Sequence, residues 1–128
     1  MDDREFYRTV ADSTGLSKEE AADLTRATLE IVAMRVSPGE ARDLARELPA
    51  ALAECIRAGG GKQERYDVNE LIRRVSTRTG LNEAETISGV RAVLQTLREA
   101  VEPKTFHDFM AQLPADFTRL AEDPQRTL

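Results

Sequence analysis

The chain has 128 residues, a formal net charge of −5, 41% hydrophobic and 32% charged residues, and a single cysteine. That composition suits a folded domain with a well-solvated surface, and it excludes wholesale disorder, an internal disulfide and a cysteine-rich metal cluster. The acidic balance opposes non-specific attraction to nucleic-acid phosphates, no apolar run approaches the roughly 20 residues of a membrane span, and the acidic N-terminus carries no secretory signal, so a cytoplasmic protein is expected.

In chain order, Glu5 to Ser13 carries Phe6, Tyr7 and Val10 at helical spacing, and Gly15 ends that helix. Ser17 and Glu20 form a capping-box pair that opens a second, longer helix, expected from about Lys18 to Arg35. Its core stripe is Ala22, Thr25, Leu29, Val32 and Val36. Ser37 and Pro38 start a third helix burying Ala41, Leu44, Ala45 and Leu48; Pro49 interrupts it, and a short fourth helix follows through Leu52 and Ile56.

The same series then recurs. Gly15 and Leu16 fall on Gly80 and Leu81, an offset of 65, and the register holds without a gap from Glu5 through Ala58. Asn82 and Glu85 take the places of Ser17 and Glu20, and the second long helix repeats the stripe as Ile87, Val90, Leu94, Leu97 and Val101. Phe106, Phe109, Met110 and Leu113 match the buried face of the third helix, and Phe117 to Leu120 match the fourth. No segment alternates with period two. The expected fold is all-α: two tandem pseudo-symmetric bundles of three to four helices each, packed as one globular body. The expected organisation is a first repeat over 1–58, a glycine-rich flexible linker over 59–66, a second repeat over 67–122 and a frayed tail over 123–128.

The doubled pattern, with Gly-Leu-Ser or Gly-Leu-Asn, Arg-Ala-x-Leu, Val-x-Pro and Leu-Pro-Ala, resembles the bacterial family called domain of unknown function 2267. The stretches Ala41 to Ala50 and Phe106 to Ala115 carry most of the likeness. It implies a compact helical protein and no particular activity or cofactor. Phe6 to Val32 also resembles the opening helical hairpin of histone-like HU proteins, but no strand-forming basic arm follows it.

Polar residues suggest little chemistry. His107 is the only histidine and is matched by Arg42; Cys55 is matched by Leu120, which suits a small core side chain. Neither has a sequence neighbour that would make it a base or a nucleophile. No catalytic, cofactor-binding or metal-binding set is therefore expected. Both copies keep an arginine on the long helix and an aspartate on the third, so Arg26 is expected to pair with Asp43 and Arg91 with Asp108, pinning helix to helix; two related anion sites are the alternative.

The copies differ on one face. The first long helix carries a second apolar line, Leu24, Ala27, Ile31 and Met34, where the other has Gly89, Ala92, Thr96 and Glu99. This face either packs on the small residues Gly89 and Ala92 or presents Leu24, Ile31 and Met34 to a partner or a second copy.

The expected function is a non-catalytic helical protein–protein interaction or scaffold module. The alternative is a regulatory small-molecule pocket between the repeats, lined by Phe106, Phe109, Met110 and the paired arginines. A third reading is a nucleic-acid stripe through Arg65, Arg73, Arg74, Arg78 and Arg91.

Overall fold

A computed structural model describes residues 1–122, and within them the chain is all-helical. Its helices are α1 (Asp3–Thr14), α2 (Lys18–Ala33), α3 (Pro38–Arg46), α4 (Ala50–Gly59), α5 (Val68–Thr79), α6 (Glu83–Ala100), α7 (Pro103–Ala111) and α8 (Ala115–Ala121). The tail expected over 123–128 lies outside the described residues.

Local chemistry sets the helix ends. Asp2, Ser17, Ser37, Asp67 and Asn82 each cap a first turn by accepting a backbone N–H, and both expected capping boxes close. Gly15 and Gly80 end α1 and α5 in the left-handed region, at φ 78° and 77°, where a side chain would be strained. Pro49 and Pro114 stand just before α4 and α8, so each ends one helix and leads into the next.

One core cluster takes residues from every helix. α1 rests on both α2 and α6, α5 on both α2 and α6, and α4 on α2, so the first and second halves of the chain interlock. α3 meets α7 in the same reciprocal way. Gln112 Oε1 accepts the backbone N–H of Ser37 at 2.8 Å, while Glu47 Oε1 accepts that of Glu102 at 2.7 Å. Ser37 and Glu102 are 65 residues apart, as are Glu47 and Gln112, so each half caps the other's third helix.

The two long helices carry the expected stripe with one exception each. Thr25, Leu29, Val32 and Val36 are buried, as are Val90, Leu94, Leu97 and Val101, but Ala22 and Ile87 are only half-buried. The second apolar face of α2 is also enclosed. Leu24 is fully buried and Ile31 is 2% exposed. A Cβ on Gly89 would stand 2.4 Å from Leu24 Cδ2, so α6 has a glycine where α2 has a leucine because the two helices approach too closely for both to carry side chains. One buried hydroxyl, that of Thr28, has no partner among the described residues.

The glycine run does more than give slack. Gly59 belongs to α4, and a Cβ there would lie 1.9 Å from the carbonyl oxygen of Glu30. The chain beyond is fastened. The Glu64 N–H donates to the Met34 carbonyl at 2.7 Å, the buried Tyr66 hydroxyl donates to the Ile31 carbonyl, and Arg35 Nε donates to the Tyr66 carbonyl at 2.9 Å. Tyr66 also packs on Phe117 with ring centroids 5.8 Å apart, under the guanidinium of Arg74 at 4.5 Å. Burial at this site pushes its phenol above the ordinary range. The segment expected as a free linker therefore ends in a buried aromatic anchor.

Candidate functional site

α5 and α6 run side by side and leave a groove of about 420 Å³ between them, lined by Asn69, Ile72, Arg73, Ser76, Thr77, Glu83 and Ile87. Ile72 and Ile87 give it apolar surface and are half-buried. Three of its five polar side chains are engaged. Ser76 donates to the Leu81 carbonyl at 2.6 Å and Thr77 to the Arg73 carbonyl at 2.9 Å. Arg73 donates to both Glu70 oxygens, at 2.8 and 2.6 Å. These three side chains are engaged by Glu70 and by backbone carbonyls, which leaves the two isoleucines, with Asn69 and Glu83, to meet an incoming group.

Hydrogen bonds from Arg73 and then Arg74 hold the Glu70 carboxyl down to about 2, against an ordinary 4.5. A depressed carboxyl stabilises the fold fully above its unfolded value and loses that contribution as the pH falls through its folded one. Thermal melts should therefore separate wild type from Glu70→Gln at neutral pH, and the gap should narrow between about pH 4.5 and pH 2. A pH-independent gap would deny Glu70 that role.

The residues singled out from sequence lie elsewhere. Arg26 does not reach Asp43: it donates to Asp23 at 2.9 Å and to the Tyr7 hydroxyl at 3.4 Å. Asp43 instead accepts from Arg46 at 3.0 Å. Arg91 Nε donates to the Leu120 carbonyl at 3.1 Å, and Asp108 accepts from Lys104 at 2.8 Å. Arg26 and Asp43 stay apart because α3 packs on α4 and α7 rather than along α2, and each aspartate meets a cation of its own helix instead. Asp43 and Asp108 do share one crease between α3 and α7, with Glu40, Glu47 and Lys104.

Leu24 and Ile31 are core residues and present no face to solvent. Met34 is half-buried at the core's edge, where Arg74 Nη1 lies 3.8 Å from its sulfur. Phe106, Phe109 and Met110 are likewise core residues, with Arg98 above the Phe106 ring at 5.3 Å.

The arginines of the supposed nucleic-acid stripe are largely engaged. Arg73 and Arg74 bind Glu70, Arg74 also meets Glu64, and Arg78 meets Glu30 at 2.9 Å. His107 is exposed on α7. Cys55 is half-buried and donates to the Ala51 carbonyl at 3.5 Å, and burial pushes its thiol up.

Sequence reasoning missed the groove because Ile87 was assigned to the core stripe.

The family described as "Uncharacterized conserved protein (DUF2267)" has a sequence model that matches residues 3–120. The chain belongs to the DUF2267 family. No curated protein matches it. The family match spans every helix from α1 nearly to the end of α8, so the groove and the interlocked core both fall inside the DUF2267 region. Among its described residues no helix is long and apolar enough to cross a membrane, and no group of three or more His, Cys, Asp and Glu side chains is arranged to hold a metal ion.

Proposed function

We propose that this DUF2267 chain is a non-catalytic interaction module of the bacterial cytoplasm. In this reading it is built from two tandem copies of one helical unit and docks a helix of a partner protein in the α5/α6 groove. The observation that carries the proposal is the groove itself: two half-buried isoleucines, one on each helix, beside an arginine, a serine and a threonine whose hydrogen bonds are already made. A helix lying between two others presents apolar side chains one turn apart, which is the spacing such a groove accepts. Small-molecule recognition instead relies on convergent polar groups left free to orient the ligand.

Several features support the rest of the reading. The offset of 65 recurs in the capping boxes, the left-handed glycines and the reciprocal caps of α3 and α7. A thiol raised by burial is less nucleophilic at neutral pH, which weighs against Cys55 as a catalytic group. Carboxylates beside Arg73, Arg74 and Arg78 lower the field a nucleic acid would meet.

Docking should fail when the groove is charged. Ile72→Asp and Ile87→Asp should each lower retention of a captured partner from native-cell extract by tenfold or more, about 1.4 kcal/mol. Their melting temperatures should stay near that of wild type, since both side chains are only half-buried. Retention unchanged in both folded variants would reject the groove as the docking site.

A further inference from the structure

The contacts between the two halves are complementary in one direction only. Residues 65 apart that touch each other lie on the axis relating the halves, and Leu24 and Gly89 are such a pair. Leu24 Cδ2 stands 2.4 Å from where a Cβ on Gly89 would be, so the leucine fills the space that the glycine leaves. Pairing two first halves in this geometry would set leucine against leucine with no room for either. Pairing two second halves would set glycine against glycine and leave a void.

Two polar contacts away from that axis follow the same rule. Glu47, which accepts the Glu102 N–H at the start of α7, also accepts the Thr105 hydroxyl. The residue matched to Thr105 is Glu40, so pairing two first halves would bring two carboxylates together. Arg78 of the second half meets Glu30 of the first at 2.9 Å. Their matched residues are Ser13 and Gln95, so pairing like with like would leave Glu30 facing serine and Arg78 facing glutamine. A steric fit, a hydroxyl on a carboxylate and an ion pair thus all hold for first half with second, and none holds for first with first.

We infer that the face each half buries is selective for the opposite half, and that the partner it fits beyond its own chain is the opposite half of a second copy, in a reciprocal exchange dimer. Such a dimer reproduces every contact between halves and needs new backbone geometry only in the connection over 60–67. Gly60 and Gly61 come before the Tyr66 anchor, so they can serve as the hinge while Tyr66 travels with the second half. Fully extended, that connection reaches roughly 26 Å. A closed chain outcompetes exchange below its own effective concentration, on the order of millimolar for a short connection. Exchange rests on the offset of 65 and on the face between the halves, not on the α5/α6 groove, so it stands or falls apart from the docking proposal.

The test mixes two full-length variants. One carries Leu24→Ala with Glu30→Arg, both in the first half; the other carries Arg78→Glu with Gly89→Ala, both in the second. Closed on itself, each variant holds two mismatches. Exchanged with the other, each altered half meets its complement, and the two unaltered halves restore the wild-type face. A preference of about a hundredfold from these contacts should lower the threshold for exchange to the order of ten micromolar. Equimolar chains unfolded together in urea and refolded should give a dimer by light scattering, with one chain of each kind by native mass spectrometry. Mixed dimers should exceed like dimers by about tenfold or more, and each variant refolded alone should stay monomeric. A second mixture, with only Glu30→Arg in one chain and Arg78→Glu in the other, leaves the core intact and should show the same bias more weakly. Monomers alone in both mixtures at about a hundred micromolar would overturn the exchange partner, and like dimers as abundant as mixed ones would overturn the selectivity.

Discussion

Ile31→Glu should unfold the chain or leave it barely folded, with a loss of at least about 4 kcal/mol. Ile31 is 2% exposed on the face of α2 that points into the molecule, and its carbonyl receives the buried Tyr66 hydroxyl. A carboxylate there would have to ionise in an apolar setting or hold a proton at neutral pH, and either state costs several kcal/mol. Domains of this size are stable by only about 5–15 kcal/mol, so a large share would disappear. Urea unfolding followed by circular dichroism measures the loss. If Ile31 were instead a docking residue, the glutamate would leave the midpoint almost unchanged and alter only the assembly state.

Gly59→Ala should destabilise by about 3 kcal/mol, against the trend for helices. Alanine in place of glycine ordinarily favours a helix by about 0.5–1 kcal/mol. Here the added methyl would lie 1.9 Å from the Glu30 carbonyl oxygen and 3.2 Å from Ala33 Cβ, so α4 would have to withdraw from α2. The obstacle is backbone, which cannot swing aside as a side-chain tip can. Gly61, by contrast, has nothing within 4 Å of its Cβ position, although its φ of 87° suits glycine. A Gly59→Ala chain that melts at or above the wild-type temperature would show that α4 and α2 are not packed this closely.

Much of the fold was legible in the sequence because helix periodicity, caps and prolines are local signals. Ser17 with Glu20, Asn82 with Glu85 and the two terminating glycines could be read from a few neighbouring letters. Contacts between halves were harder to read. Arg26 and Asp43 looked like partners because both recur, but recurrence does not tell which way α3 leans.

Glu47 and Gln112 were overlooked because they cap helices in the opposite half. Each is a side chain with an acceptor oxygen directly before Leu-Pro, which was the available hint. The glycine run looked like slack because only the position of α2 reveals that Gly59 touches Glu30. The exchange of Leu24 for Gly89 was visible as an asymmetry, and the close approach of α2 and α6 supplies its cause.

That exchange also gives the most direct test of the interlocked core, on which the assignment of docking to the α5/α6 groove depends. The measurement is a double-mutant cycle in urea over wild type, Leu24→Ala, Gly89→Ala and the pair. Gly89→Ala alone should cost about 2 kcal/mol because its methyl meets Leu24 at 2.4 Å. With Leu24 cut back to alanine, the same change should become neutral or stabilising, for a coupling of about 2–3 kcal/mol. Equal costs in both backgrounds would contradict the account, because they would mean that Leu24 and Gly89 do not touch and that the second face of α2 is free for a partner.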